Sequence, residues 1–358
     1  MRITTFLLAA AALVHQTEVS RAAEFVVGLA APFSGTVAPL GQQMRAGAQA
    51  AVAARSGSAV AVEIADTACT AEGGDMAARR FVAADAAMVT GFLCMEAIEA
   101  ALPILSQAGI PVITTGVRTD SLTDSRDKTG WPVFRLAPRA DSEAKAVSAI
   151  LTRRWRAELF AIVDDGTIYG RELAEAFRLA AEEAGLEPVF TDTFRPQLEN
   201  QIALAGRLRR AGATHVLVGG DRDDIAVLGR DAAELDMDLT IAGGEALRAQ
   251  TGMVDLQPGT LMIGLPEWAE IAAQDVVEAL RQAGVEPEGY VLPAYAAIEI
   301  AHIAFEEARH GERTLADILA RERFPTAVGP VAFDDKGDWT RNPYRLFRYD
   351  GRTFEAIE

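Results

Sequence analysis

Val60-Ala-Val-Glu-Ile64 runs into Asp66-Thr-Ala-Cys69, a helix-like stretch leads to Met88-Val-Thr-Gly-Phe-Leu-Cys94, and a second leads to Ile110-Pro-Val-Ile-Thr-Thr-Gly-Val-Arg118. Short apolar runs separated by helical patterns read as strands of a parallel sheet, and each of these ends in small or polar residues. In an open parallel sheet ligands bind beyond the carboxyl ends of the strands, so these endings are the expected rim of a site. The two cysteines of the chain stand at two of them.

The alternation continues in both directions. Residues 24–30 read as the first strand, stopped by Pro32, with a helix over 42–54 and the turn Ser56-Gly57-Ser58 behind it. Helices over 72–84 and 96–108 link the three central strands. Residues 116–138 interrupt the rhythm with a polar stretch, Trp131-Pro132 and a short strand at 133–136. A second βα series then starts afresh, with helices at 141–153, 170–184, 199–210 and 223–235 and strands at 159–163, 188–193, 214–218 and 239–242. After a strand-like 259–264 come helices at 270–283, 291–309 and 314–321. The segment from Val331 to Gly351, with its Asp- and Gly-rich turn, reads as a β-hairpin.

Two such series mean two lobes. Uncharged passages near 137, 264 and 329 are the expected crossings between them, so lobe 1 is expected at 23–138 plus 266–329 and lobe 2 at 139–265 plus 330–358. A hinge of several strands permits closure around a ligand.

With 358 residues, half of them hydrophobic, the chain has material for about two domains with real cores. A net charge of −17 argues against a nucleic-acid partner or a polybasic membrane contact, both of which need clustered Lys and Arg. Met1-Arg2, the apolar run 3–14 and Ser20-Arg-Ala22 form a signal-peptide pattern over 1–22, with the mature chain starting near Ala23. That run is shorter than the roughly 20 residues a membrane span needs, and no lipobox cysteine follows it. The chain is thus expected to be exported and released into an oxidising compartment, which the resemblance given below implies is the periplasm. In that oxidising compartment Cys69 and Cys94 read foremost as a disulfide, with two buried free thiols as the alternative and a metal pair disfavoured by the lack of nearby His.

Enzyme signatures are missing. Gly28-Leu-Ala-Ala-Pro-Phe lacks the Gly-x-Gly-x-x-Gly of a dinucleotide site, and there is neither a phosphate-binding Gly-x-x-x-x-Gly-Lys nor a Gly-x-Ser-x-Gly elbow. The histidines, at 15, 215, 302 and 310, are scattered, and His215 lies in a buried-strand pattern.

Several stretches taken together resemble the Leu/Ile/Val-binding protein family, the solute-binding subunits of branched-chain amino-acid type ABC importers. They are 31–42, Asp66-Thr-Ala-Cys69, Gly91-Phe-Leu-Cys94, Ile110-Pro-Val-Ile-Thr, 163–172, Gly219-Gly220, Gly243-Gly-Glu245 and 328–338. Their order and spacing carry the resemblance over essentially the whole mature chain. It implies the type I periplasmic binding protein fold, an α/β architecture of two Rossmann-like lobes joined by a three-crossover hinge, and a Cys69–Cys94 disulfide. It further implies a monomer that delivers a small solute to a permease complex in the inner membrane, without metal or cofactor. A periplasmic sensor signalling to a receptor is the alternative role.

Site residues follow from the same resemblance. Tyr169 falls on the family's cleft tyrosine and Glu245 on the carboxylate that meets the ligand's ammonium, while Thr114, Gly116 and Ser34 match the head-group loops. The pattern departs at four positions. Met95 stands where a carboxylate-binding serine is expected, Arg118 in place of a threonine, Asp221 in place of a tyrosine, and Leu40 in place of another. Arg118 could replace the lost hydroxyls by a bidentate contact with a carboxylate, or pair with Asp221 across the cleft. Each candidate also has an ordinary structural reading: Glu245 or Tyr169 as a helix cap, Arg118 as solvated surface, Asp221 as a helix-start acid, and Met95 as an apolar wall.

Overall fold

The Val- and Ala-rich run that opens the first sheet is buried from Val27 onward, as expected of a central strand covered on both faces. The computed structural model describes residues 25–55, 60–250 and 252–357. The expected signal peptide and the turn at 56–58 lie outside the described residues.

Strands β1 (Phe25–Ala31), β2 (Val60–Asp66), β3 (Ala86–Gly91), β4 (Val112–Thr114) and β5 (Val133–Arg135) form a parallel sheet in the order β2-β1-β3-β4-β5. Helices α1 (Ala38–Ala53), α2 (Ala71–Ala83) and α3 (Met95–Gln107) connect its first four strands. The polar stretch before β5 folds as two single turns, α4 (Ser121–Asp124) and α5 (Arg126–Thr129). A second series follows: α6 (Ser142–Arg154), β6 (Phe160–Asp164), α7 (Ile168–Glu183), β7 (Phe190–Thr193), α8 (Ile202–Ala211), β8 (His215–Gly219), α9 (Arg222–Glu234), β9 (Thr240–Gly243) and β10 (Leu261–Gly264). The last third comprises α10 (Trp268–Ile271), α11 (Gln274–Gln282), α12 (Val291–Arg309), α13 (Leu315–Arg321), β11 (Phe324–Thr326), β12 (Gly329–Val331), β13 (Arg345–Tyr349) and β14 (Phe354–Ala356). The second sheet runs β14-β13-β10-β9-β8-β6-β7, with β13 antiparallel to both its neighbours.

Three local expectations change. The helix expected at 270–283 is broken at Ala272–Ala273, whose backbone is extended, and Ala273 donates its N–H to Ala327 O at 2.8 Å. The C-terminal hairpin does not form as read: β12 pairs with β11, and β13 joins the second sheet between β10 and β14. The Asp-rich turn instead closes on itself, Asp334 accepting the N–H groups of Lys336 and Asp338 while Phe333 pairs with Trp339. Consequently Val331, Phe333 and Trp339 pack in the first lobe's core, so 330–339, expected in lobe 2, lie with the first sheet and the third crossing falls at 340–344.

Helix α12 completes that core. Its apolar face covers α1 so closely that a Cβ on Gly47 would sit 2.0 Å from Val291 O, and Arg55 ties it to the buried Glu299 at 2.9 Å. Glu299 in turn accepts the Ala327 N–H at 2.6 Å, which pins the segment leading to β12. A second core lies around β6, β8 and β9, and in it Trp155, Phe160 and Phe177 pack on one another. His215, at the start of β8, packs against Trp155 with the ring centroids 5.3 Å apart and the planes tilted.

Candidate functional site

The carboxyl ends of both sheets face each other, and the loops there build a cavity of about 260 Å³. From the first lobe come Thr115, Gly116 and Arg118, together with Tyr290 and Pro293 at the start of α12. Glu245 and Arg248 reach in from the one-turn 3₁₀ helix after β9, and the crossings supply Leu136–Pro138 and Leu265–Trp268. The volume and the mixture of apolar walls with a few charged groups suit a small solute.

Arg118 owes its place to the turn after β4. The buried Thr114 hydroxyl accepts the Val117 N–H at 3.2 Å and points to Phe92 O, so Thr114 shapes the loop from within. Gly116 has no room for a side chain: a Cβ there would meet Phe92 O and Leu93 Cδ1 at 2.9 Å. Behind the turn the wholly buried Arg135 donates to the carbonyls of Arg118 and Thr119 at 3.0 and 2.6 Å. The Arg118 side chain then extends into the cavity.

There it meets a chain of polar groups from the second lobe. Arg118 donates to the Tyr344 hydroxyl, whose own proton goes to Glu245 Oε2 at 2.8 Å. Beneath Glu245 lies Glu143 on the first turn of α6, buried at 8 % exposure; its Oε1 accepts the Glu245 N–H at 2.6 Å and the Tyr169 hydroxyl at 2.8 Å. Tyr169 also accepts the Ala246 N–H at 3.3 Å. Tyr169 is therefore a support behind Glu245, one step removed from the cavity wall.

Electrostatics follow from this crowding. Burial pushes the Glu143 carboxyl above its usual range, more than the hydrogen bonds from Glu245 N–H and Tyr169 pull it down. Burial and the neighbouring Glu143 raise Tyr169, and burial with Glu245 raises Tyr344, so both phenols stay protonated. Burial opposes the Arg118 charge, but Tyr344, Glu245 and Glu143 outweigh it and hold the guanidinium above its ordinary value.

Glu143 gives a checkable pH effect. A carboxyl whose folded pKa is raised contributes most at low pH, and that contribution is lost as pH rises through the folded value. Glu143→Gln keeps an acceptor for both donors and removes the ionisation. Its melting temperature relative to the parent should thus rise as pH increases from below the reference value of 4.5 toward neutrality. Parallel melting curves at all pH values would assign the titration elsewhere.

The structure brings Arg118, Gly116 and Glu245 together and leaves other sequence candidates outside the cavity. Asp221 is exposed at the start of α9 and lines a separate recess with Arg222 and Asp224, so the alternative pairing with Arg118 does not form. Met95 opens α3 and packs on the core around β3. Ser34 is exposed and bonds Asp66, and Leu40 lies in α1. Cys69 and Cys94 are joined in a disulfide. Sequence reading missed Tyr344 and Glu143, whose partners lie 99 to 226 and 26 to 102 positions away. It also missed Thr115, a cavity-lining residue 2 % exposed, whose Oγ1 meets no hydrogen-bond partner among the described residues.

The sequence profile described as Periplasmic binding protein matches residues 24–353. The chain belongs to this family. Among its curated relatives is Leu/Ile/Val-binding protein BraC3 of Rhizobium johnstonii, 28 % identical over 349 residues and covering 94 % of each chain. A solved structure of a putative branched-chain amino acid ABC transporter from Rhodospirillum rubrum superposes with a TM-score of 0.75 at 19 % identity, covering 93 % of this chain and 99 % of that one. Another, an ABC transporter substrate-binding protein from Desulfitobacterium hafniense complexed with Leu, gives 0.65 at 22 % identity, with the same coverage. These neighbours fix the type I periplasmic binding protein fold. Proteins of this family bind solutes and are not enzymes.

Proposed function

We propose that this family member captures a small carboxylate-bearing solute between its lobes and hands it, as a monomer, to the permease of an ABC importer in the inner membrane. The observation that carries this reading is Arg118, a guanidinium held at the cavity by its own loop and facing groups from the opposite lobe. Guanidinium forks recognise carboxylates through paired, charge-assisted hydrogen bonds. Closure of the lobes about the crossings at 136–141, 265–267 and 340–344 would present a changed surface to the permease. The relatives' names support amino acids and their kin as the solute class.

Two measurements test it. With the solute at 100 times its dissociation constant, the purified chain, refolded to strip carried ligand, should gain about 2.7 kcal/mol and melt several degrees higher. In cells, deletion should abolish high-affinity uptake of that labelled solute. Unchanged uptake accompanied by loss of a solute-induced response would assign the protein to sensing instead.

A further inference from the structure

Resting on that reading, we infer that the solute is a carboxylate without an α-ammonium group, because Glu245 is already linked through the Tyr344 hydroxyl to the positive charge of Arg118.

Glu245 is the acid that would receive an ammonium. Its Oε2 is occupied by the Tyr344 hydroxyl at 2.8 Å, and that hydroxyl is held in turn by Arg118, whose guanidinium lies 6.0 Å from the centre of the Tyr344 ring. One phenol therefore separates the positive and negative groups. An ammonium placed against Glu245 would have to share that carboxylate with the Tyr344 proton and would stand close to the like charge of Arg118. Glu143, the acid beneath Glu245, is turned away: its Oε1 is taken by Glu245 N–H and Tyr169, and burial favours its neutral form. Arg248, the second guanidinium at the cavity, is engaged with Glu267 at 3.3 Å and with Leu265 O.

Groups that would greet an anion are present on the first-lobe side. The Thr115 hydroxyl, buried and without a partner among the described residues, lies on the same turn as Arg118 and lines the same cavity. A buried hydroxyl left unpaired is costly, and a carboxylate oxygen would satisfy it. Leu136, Pro138, Leu265, Pro266, Trp268 and Tyr290 offer an apolar enclosure for the remainder. The chemistry recognised is thus an apolar body bearing one carboxylate, as in a 2-oxo acid.

The experiment compares pairs that share a skeleton and differ only at Cα: 4-methyl-2-oxopentanoate against L-leucine, and phenylpyruvate against L-phenylalanine. Titration calorimetry uses the mature chain after refolding. At least one oxo acid is expected to bind at least tenfold tighter than its amino acid. Arg118→Gln should weaken the oxo acid 100-fold or more. Tyr344→Phe, which keeps the ring and frees Glu245, should move the preference at least fivefold toward the amino acid. Amino acids binding as well as or better than their oxo partners overturns the inference while leaving carboxylate capture intact. Silence toward all four compounds overturns both. A Tyr344→Phe protein with the parent's preference shows that the bridge does not set selectivity and removes the inference's basis.

Discussion

Replacing Asp338 by Ala should lower the stability of the first lobe by about 3 to 5 kcal/mol, the cost of stranding a buried charge. Arg135 is wholly inaccessible, and its Nε donates to Asp338 Oδ1 at 2.7 Å. Its Nη2 also lies 2.7 Å from Asp338 Oδ1, and its other partners, Arg118 O, Thr119 O and the Thr123 hydroxyl, carry no charge. Asp338 also accepts from Arg139 Nη1 at 2.6 Å, and Arg139 continues the network to Asp124 and Asp141. Burial works against the Arg139 charge, yet these acids outweigh it and raise its pKa. Urea unfolding should show the lower midpoint at unchanged slope. Arg135→Met combined with Asp338→Leu should recover most of the loss, because it removes both buried charges while Arg139 keeps Asp124 and Asp141 as partners. Stability within 1 kcal/mol of the parent in Asp338→Ala would mean that water or another group reaches Arg135. Since Arg135 also holds the Arg118 and Thr119 carbonyls, solute affinity should fall in the single variant as well.

The second large effect concerns Cys69 and Cys94, 25 positions apart. Replacing both by Ala should cost about 3 to 4 kcal/mol through the freed entropy of the unfolded chain. The bond also clamps two loops with unusual backbone, since Ala68, Cys69 and Phe92 have φ of 45°, 54° and 54°. Side-chain-bearing residues adopt that region rarely, so the loops depend on surrounding contacts to stay there. Either single replacement should cost nearly as much as the double one. Identical denaturation midpoints with and without a reductant would show that the bond contributes nothing to the folded state's margin.

Much of this architecture is legible in sequence because buried parallel strands write continuous apolar runs. The run Phe160-Ala-Ile-Val163 and the run Val216-Leu-Val218 leave little choice of structure. Arg118, Gly116 and Glu245 lie just past strand endings, where a rim is expected, but it is the family resemblance that singles them out. Tyr344 could not be anticipated. It lies in a stretch whose local pattern reads equally well as half a hairpin, and its partners Arg118 and Glu245 are contacts of tertiary structure alone. Glu143 is concealed differently, since an acid in the first turn of a helix is ordinarily explained by the helix dipole. Only packing shows that it sits under the Glu245 amide. The lost hairpin has the same origin: Val331 pairs with Phe324 and leaves β13 to the other lobe, a choice set by which core is nearest.

The seam between α1 and α12 has a consequence in time. Arg55 and Glu299, which meet across it, are 244 positions apart in the chain. At about 5 to 20 residues per second, synthesis of the intervening chain takes roughly 10 to 50 s. During that interval the N-terminal strands exist without the helix that covers them, and their exposed apolar face has no native partner. The second lobe, apart from β13 and β14, is finished earlier. Nascent-chain proteolysis should therefore find the N-terminal portion degradable until Glu299 and the segment beyond it have emerged, long after its own sequence is complete.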